Sequence, residues 1–172
     1  MLENREQRED AGVVVVPIGG GGLISGVAFA VKQINPNCKV YGVQAAGDPS
    51  MLNSIRDGKI ETLASVSTMA DGIAVKQPGD LTFAMCQKYV DGIVTVTEDE
   101  IASAILKLIE KHKMVAEGAG AVSVAAAMYN KVDIKGKKAV CVVSGGNVDV
   151  TVLDRIVDKA LQANGRITKL SV

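Results

Sequence analysis

The chain has 172 residues, of which 48% are hydrophobic, 22% are charged and only 3% are aromatic. This length suits one globular domain, and the composition predicts an α/β core of Val, Ile, Leu and Ala. Basic and acidic residues number 19 each, so no net field attracts nucleic acid or an anionic membrane, and we expect neither as a partner.

Strand-like and helix-like segments alternate along the chain after a charged lead-in at residues 1–10, which resembles a helix end or a frayed segment. Val13–Pro17 is typical of a strand covered on both faces, while Thr97 and Glu100 form a capping box that starts a helix. This alternation predicts an α/β fold with a doubly wound, mostly parallel sheet, helices on both faces, and ligands at the carboxyl ends of the strands. The predicted strands are 13–17, 39–44, 93–96 and 138–143; the predicted helices are 23–34, 50–57, 80–90, 97–111, 116–128 and 150–163; residues 59–69 are predicted as loop with at most a short strand.

Four consecutive glycines, Gly19, Gly20, Gly21 and Gly22, join the first strand to the first helix. The first amides of a helix lack intrahelical partners and lie at the positive end of its dipole, and glycine leaves room for a ligand to approach them. A phosphate monoester is the natural ligand of such a loop. The alternative is a tight turn without a ligand, although four glycines cost roughly 0.5–1 kcal/mol each relative to alanine.

Two other phosphate-binding loops are excluded by neighbouring residues. A P-loop needs Lys followed by Ser or Thr after its last glycine, whereas Leu23 and Ile24 stand here. A dinucleotide-binding loop needs Gly-x-Gly-x-x-Gly and an acidic residue after the next strand, whereas the strand at 39–44 ends in Gln44. Neither a nucleoside triphosphate nor NAD is therefore expected.

Four motifs follow one another along the chain: Pro17-Ile-Gly-Gly-Gly-Gly-Leu23, Ala70-Asp-Gly-Ile-Ala74, Glu117-Gly-Ala-Gly-Ala121 and Ser144-Gly-Gly-Asn147. Together they resemble the C-terminal half of the catabolic serine/threonine dehydratases. Those enzymes belong to the pyridoxal-phosphate enzymes of fold type II, which are built like the tryptophan synthase β subunit. The resemblance covers roughly residues 10–163, and it implies a portion of the large domain with pyridoxal 5'-phosphate as cofactor.

The resemblance also implies roles for individual residues. Gly19 to Gly22, with Leu23, would bind the cofactor phosphate, and Ser144 would hydrogen-bond the pyridine nitrogen. A neutral hydroxyl does not force a proton onto that nitrogen, so the ring becomes a weaker electron sink and prompt loss of a β-hydroxyl is favoured. The alternative for Ser144 is that it satisfies backbone groups at a strand end.

Gly72 and Glu117 resemble residues beside the cofactor ring. Gly72 would permit close approach, with a plain turn as the alternative. Glu117 would lie near the ring edge, with a helix-start carboxylate favoured by the dipole as the alternative. His112 is expected to be a solvated cation at a helix end.

No metal site is expected. Some relatives bind a divalent metal beside the second strand, but residues 44–48 offer one carboxylate, Asp48, and a hard cation needs more. Cys38, Cys86 and Cys141 are odd in number and far apart, which fits neither a disulfide framework nor a metal site. The lead-in is too charged for a signal peptide, and no apolar run approaches the ~18 residues of a membrane span. We therefore expect a cytoplasmic protein.

One element of the resembled family has no match. Its chemistry needs a lysine that binds the cofactor covalently, in a Ser-x-Lys-type motif of the N-terminal half, and neither Lys76 nor Lys113 lies in such a motif. We therefore expect no catalytic residue in this chain, and no activity from the chain alone.

The resulting hypothesis is a fragment of a pyridoxal-phosphate-dependent threonine or serine ammonia-lyase, which gives a 2-oxo acid and ammonia. The alternatives are a sister activity, such as serine racemase or cysteine synthase, and a non-catalytic module that binds phosphate ligands or a partner subunit. Residues 1–163 are expected to form the large-domain portion, and 164–172 a tail that begins as a strand and could start an ACT-like regulatory domain. Truncation at both ends would expose apolar surface, so a homo-oligomer is expected.

Overall fold

The computed structural model of the protein describes residues 10–168. Within them, one four-stranded sheet has the order β3-β2-β1-β4 with every pair parallel. The strands are β1 (Val13–Pro17), β2 (Lys39–Ala45), β3 (Gly92–Val96) and β4 (Ala139–Cys141). The helices are α1 (Gly22–Ile34), α2 (Ser50–Asp57), α3 (Asp80–Tyr89), α4 (Glu98–Lys107), α5 (Gly118–Met128) and α6 (Val150–Ala163), with a 3-10 turn at Asp71–Ile73 and a π-helical turn at Leu108–His112.

Helices cover both faces of the sheet, as predicted. Side chains alternate between faces along a strand, so Val13 and Val15 pack with α4, α5 and α6. Val14 and Val16 point the other way and pack with α1, α2 and α3. All of β1 is buried, because it lies inside a sheet that is covered on both sides. The α/β, doubly wound architecture is confirmed.

The last strand is shorter than predicted, covering 139–141 rather than 138–143. The amide of Val142 still donates to the carbonyl of Val15 at 2.9 Å. The next rung of a parallel ladder would need an N–H at position 17, which proline lacks. The Val142 carbonyl accepts instead from the Ser123 hydroxyl at 2.7 Å, and the chain leaves the sheet there.

Helix limits in the second half also differ from the prediction. The capping box of Thr97 and Glu100 is confirmed, but the α-helix it starts ends at Lys107 and gives way to the π-helical turn. Helix α5 begins at Gly118 rather than at residue 116, because Glu117 has extended backbone and its amide donates to the Gly145 carbonyl at 3.1 Å.

Residues 59–69 are irregular, as predicted, and no strand forms at 165–168. The lead-in at 1–9 and the end of the tail at 169–172 lie outside the described residues. Across residues 10–168, no helix combines the length and apolar character needed to cross a membrane.

An ionic cluster around Asp91 connects the chain at the edge of the sheet opposite the glycine loop. The Asp91 carboxylate accepts from Lys32 Nζ at 2.6 Å, from Lys39 Nζ at 2.9 Å and from the Val40 amide at 2.8 Å. The Lys32 and Asp91 side chains are only 15% and 16% exposed. Burial raises the pKa of Asp91, but the hydrogen bonds from Lys32, Val40 and Lys39 together outweigh burial, so the pKa lies below its ordinary value.

We expect Asp91→Asn to lower the free energy of unfolding by about 1–3 kcal/mol at pH 7, the range for hydrogen bonds to a charged group. A carboxylate with a lowered folded pKa stabilises above its unfolded pKa, and this stabilisation is lost as pH falls through the folded pKa. The deficit should therefore shrink below pH 3.8, as measured by urea unfolding at pH 7 and pH 3. Asp57→Asn, which removes an exposed pair with Arg56, is the control and should change little. An equal deficit of Asp91→Asn at both pH values would contradict the prediction.

Candidate functional site

The eight residues predicted from the sequence to bind the cofactor all line one cavity of about 310 Å³. The cavity lies at the carboxyl end of β1, beside the first turn of α1 and the start of α5. Among the described residues that line it, only Glu117 is charged. The lining consists of Pro17, Gly19, Gly20, Gly21, Gly22, Leu23, Gly72, Ile73, Glu117, Ala119 and Ser144.

Main-chain amides dominate the glycine end of this cavity. The amides from Gly19 to Ile24 have no hydrogen-bond acceptor within residues 10–168, and the first helical bond of α1 runs from the Ser25 amide to the Gly21 carbonyl at 3.0 Å. No acidic residue lies in the first turn of α1, so the positive end of its dipole is not neutralised. A cluster of unpaired donors at this position favours an anion.

The shape of the glycine loop is fixed from behind by α2 and α3. Gly21 has a left-handed backbone, with φ of 92°, and a Cβ there would come 2.7 Å from Met51 Cε and 2.8 Å from Thr82 Cβ. The Thr82 hydroxyl lies 2.5 Å from the Gly20 carbonyl and 3.0 Å from the Gly79 carbonyl. Because it carries one proton, the shorter contact to Gly20 is the better hydrogen bond. Sequence reasoning missed Thr82, because no local motif marks it.

Two carboxylates, the buried Asp48 and the half-buried Glu98, hold the segment at 69–75, which carries Gly72 into the cavity. Asp48 Oδ2 accepts from the Val75 amide at 2.8 Å, and Glu98 Oε2 accepts from the Met69 amide at 2.7 Å. The second oxygen of each carboxylate is buried without a partner within the described residues. The Val75 side chain in turn lies against the glycine loop, 3.2 Å from a Cβ placed on Gly19. Asp48 and Glu98 are therefore positioning residues, which the sequence did not indicate.

The polar residue at the end of β2 also has a structural role. Gln44 is fully buried; its Oε1 accepts from the Leu52 amide at 2.9 Å, and its Nε2 lies 3.4 Å from the Ser50 hydroxyl. Gln44 thus pairs with the first turn of α2. Across residues 10–168, no group of three or more His, Cys, Asp or Glu side chains is arranged to hold a metal ion.

Ser144 and Glu117 face the cavity with unused hydrogen-bonding capacity. Ser144 lies three residues after β4 and is exposed, and its hydroxyl has no partner in the described part of the chain. The alternative role of satisfying backbone groups is therefore not seen. Glu117 is at the N-cap position of α5, but its side chain makes no capping hydrogen bond. Gly72 lies in the 3-10 turn, where a Cβ would come 3.1 Å from Ala119 Cβ.

The other residues considered in the sequence lie away from the cavity lining. His112 is exposed at the end of the π-helical turn. Cys38 and Cys86 are buried and Cys141 is half-buried, and all three are free thiols.

We expect Asp48→Asn to become more stable relative to the parent chain as pH rises from 4 to 7. Burial raises the pKa of Asp48, and the hydrogen bond from the Val75 amide only partly opposes it. A raised folded pKa gives stability that is present below the unfolded pKa and is lost as pH rises through the folded pKa. Asparagine keeps an acceptor for Val75 and does not titrate. Urea unfolding across this range measures the difference, with the exposed Asp71→Asn as control, and a difference independent of pH would refute it.

Comparison with known proteins supplies independent findings. The profile of the family described as pyridoxal-phosphate dependent enzyme matches residues 1–145. An L-threonine ammonia-lyase of Thermotoga maritima is 58% identical over 165 residues, which is 96% of this chain and 41% of that protein. A catabolic L-threonine dehydratase of Escherichia coli is 45% identical over 157 residues, covering 90% and 48%. The chain thus spans less than half the length of these curated relatives.

Solved structures give the same result for the fold. The processed form of threonine deaminase isoform 2 from Solanum lycopersicum superposes with a TM-score of 0.86 at 39% identity, over 92% of this chain and 47% of that chain. Maize serine racemase superposes with a TM-score of 0.83 at 37% identity, over 92% and 50%.

Proposed function

This chain belongs to the family of pyridoxal-phosphate dependent enzymes, and from that premise we propose that it is the cofactor-cradling part of a threonine or serine ammonia-lyase. The observation that carries the proposal is the row of unpaired amides from Gly19 to Ile24, which opens on the same cavity as the unpaired hydroxyl of Ser144. The similarity to the L-threonine ammonia-lyase of T. maritima supports the choice of reaction.

The residues of the cavity fit a phosphate ester that carries a ring. A Cβ placed on Gly22 would meet no atom within 4 Å, so space is open beside the unpaired amides. The cavity volume of about 310 Å³ is at the lower end of the range for small-molecule sites. If a phosphate bound at the glycine loop, Gly72, Glu117 and Ser144 would be the lining residues available to contact the ring.

The residues that line the cavity would bind and orient the cofactor. Bound pyridoxal phosphate supplies an electron sink for the α-carbon of an amino acid. The glycine amides would hold the phosphate through neutral donors and the α1 dipole. The Ser144 hydroxyl would donate to the ring nitrogen without giving up its proton, since a hydroxyl does not ionise near neutral pH. Gly72 would let the main chain approach the ring.

The covalent step requires a lysine that this chain does not provide in the expected motif. No lysine between residues 10 and 168 lines the cavity, and none in the sequence stands in a Ser-x-Lys-type motif. We therefore place the Schiff-base lysine outside these 172 residues, and assign binding and ring polarisation to the residues present.

Racemisation of serine is the second candidate, because maize serine racemase superposes almost as well as the tomato threonine deaminase. The two activities would share the same cradle and differ in the product.

We also propose a cytoplasmic homo-oligomer. The three cysteines are free thiols, as in a reducing compartment. Large apolar side chains are exposed at Leu81 (76%) and Val150 (78%), and such side chains are available for contacts between subunits.

The phosphate assignment is tested best at Gly22, since a side chain at Gly21 would collide with Met51 and Thr82. Gly22→Asp has space for its side chain, and a carboxylate in the first turn favours the helix, so the variant should fold. Its charge should weaken binding of pyridoxal phosphate and of inorganic phosphate about tenfold or more, or at least ~1.4 kcal/mol, in equilibrium dialysis.

Two control variants accompany this measurement. Gly22→Asn adds the same volume without charge and should weaken binding less. Gly26→Asp places the same charge one turn further along α1, where a Cβ also meets no atom within 4 Å, and should have the smallest effect. Unchanged phosphate affinity in a folded Gly22→Asp variant would reject the site.

The reaction is tested in a chimera in which residues 10–163 replace the matching segment of the T. maritima L-threonine ammonia-lyase. We expect this chimera to convert threonine to 2-oxobutanoate, and Ser144→Ala to lower the rate about three- to tenfold, as for loss of one neutral hydrogen bond. Racemisation of serine without deamination of threonine would favour the second candidate.

The 172-residue chain alone is the control for the covalent step. Borohydride treatment with pyridoxal phosphate should leave cofactor mass on no specific lysine of this chain. A single labelled lysine, together with turnover of threonine, would show that the catalytic lysine is present here after all. A folded chimera that holds the cofactor and turns over neither substrate would sink the proposed reaction.

A further inference from the structure

The carboxylate of Glu117 lies against two glycines from different segments. A Cβ on Gly145 would overlap Glu117 Oε1 and come 2.8 Å from its Cδ. A Cβ on Gly72 would come 3.5 Å from the same Oε1 and 4.0 Å from Cδ. The position of this carboxylate thus depends on the missing side chain of Gly145, while the distances from Gly72 are ordinary van der Waals contacts.

Main-chain packing fixes the frame around this carboxylate. The Glu117 amide donates to the Gly145 carbonyl at 3.1 Å. A Cβ on Gly118 would come 2.6 Å from the Met69 carbonyl oxygen, and one on Gly120 would come 3.0 Å from the Gly145 amide nitrogen. The first turn of α5 therefore packs directly against the main chain at Met69 and at Gly145. The base of the Glu117 side chain has little freedom to shift.

Glu117 nevertheless has no partner for its charge. It does not cap α5, and no donor within residues 10–168 reaches its carboxylate. It is half-buried, and of the described side chains that line the cavity it alone is charged. A carboxylate accepts hydrogen bonds at several positions, and all of these remain open. The cavity therefore has unpaired hydrogen-bond donors at the glycine loop and an unpaired, negatively charged acceptor at the start of α5.

We propose that Glu117 is a specificity-determining residue, and that Gly145 is a positioning residue for its carboxylate. The carboxylate accepts a hydrogen bond from a cationic nitrogen of a ligand whose phosphate lies on the glycine loop. The site therefore prefers a phosphate ester that bears an amine over the same ester that bears a neutral alcohol. This inference rests on the proposed function, and it extends that function to the form of the ligand that the site favours.

A matched pair of ligands tests the preference. Pyridoxamine 5'-phosphate and pyridoxine 5'-phosphate differ in an amine and an alcohol at one position, and neither has an aldehyde that reacts with lysines. Equilibrium dialysis against the 172-residue chain at pH 7 should give tighter binding of the amine. Glu117→Gln keeps the shape and removes the charge, and should reduce this preference about tenfold or more, as for loss of a charge-assisted hydrogen bond. Its affinity for inorganic phosphate should not fall, because the variant removes a negative charge from the cavity that binds the anion.

A double-mutant cycle tests the role of Gly145. Gly145→Ala should displace the carboxylate, so Glu117→Gln made in that background should no longer change the amine preference. If Gly145→Ala does not fold, the comparison of the parent chain with Glu117→Gln decides the question. If the ratio of the two ester affinities is the same in the parent chain and in Glu117→Gln, this inference is overturned and the proposed function is not. Failure of the parent chain to bind either ester or inorganic phosphate overturns the proposed function itself.

Discussion

The unpaired amides between Gly19 and Ile24 are the feature on which the rest of the site depends. They are unpaired because the first amides of a helix have no intrahelical acceptor, whereas the carbonyls of the same loop are paired: Thr82 donates to Gly20, and the Ser25 amide donates to Gly21. Had those carbonyls been left unpaired, they would have competed with a ligand for the same space and weakened the local positive potential. The buried sheet supplies the rigidity, since β1 is covered on both faces and cannot shift without disturbing two apolar layers.

Around this loop the site is built from backbone rather than from side chains. Gly118 and Gly120 let α5 touch the segments at 69–72 and 144–146, and Asp48 and Glu98 hold amides of residues 75 and 69. Each of these carboxylates leaves one buried oxygen unpaired, which costs free energy. That cost is tolerated where it fixes main chain at the edge of a cavity, and local strain of this kind is commonly found at functional sites.

Much of the fold could be predicted from the sequence because its signals are local. The valine run of β1, the period of α6 and the capping box of Thr97 all depend on neighbouring residues, and these elements formed as predicted. The early end of β4 could not be predicted, because it depends on the proline of another strand. Thr82, Asp48 and Glu98 were missed for the same reason: an isolated threonine or acid carries no sign of the distant amide or carbonyl that it contacts. The glycine run could be singled out from the sequence because four glycines in a row are costly without a ligand, and all four line the cavity.

The residues that line the cavity offer few positions at which relatives with different reactions could differ. The T. maritima ammonia-lyase and maize serine racemase match this chain at 58% and 37% identity over nearly its whole length. Among the described residues that line the cavity, Glu117 alone carries charge and Ser144 alone carries a hydroxyl. In the proposed function this lining orients a phosphate and polarises a ring, but it offers few groups that could distinguish one amino acid side chain from another. We therefore expect the choice between elimination and racemisation to depend mainly on residues that this cavity does not contain, while the cradle sets how strongly the ring is polarised.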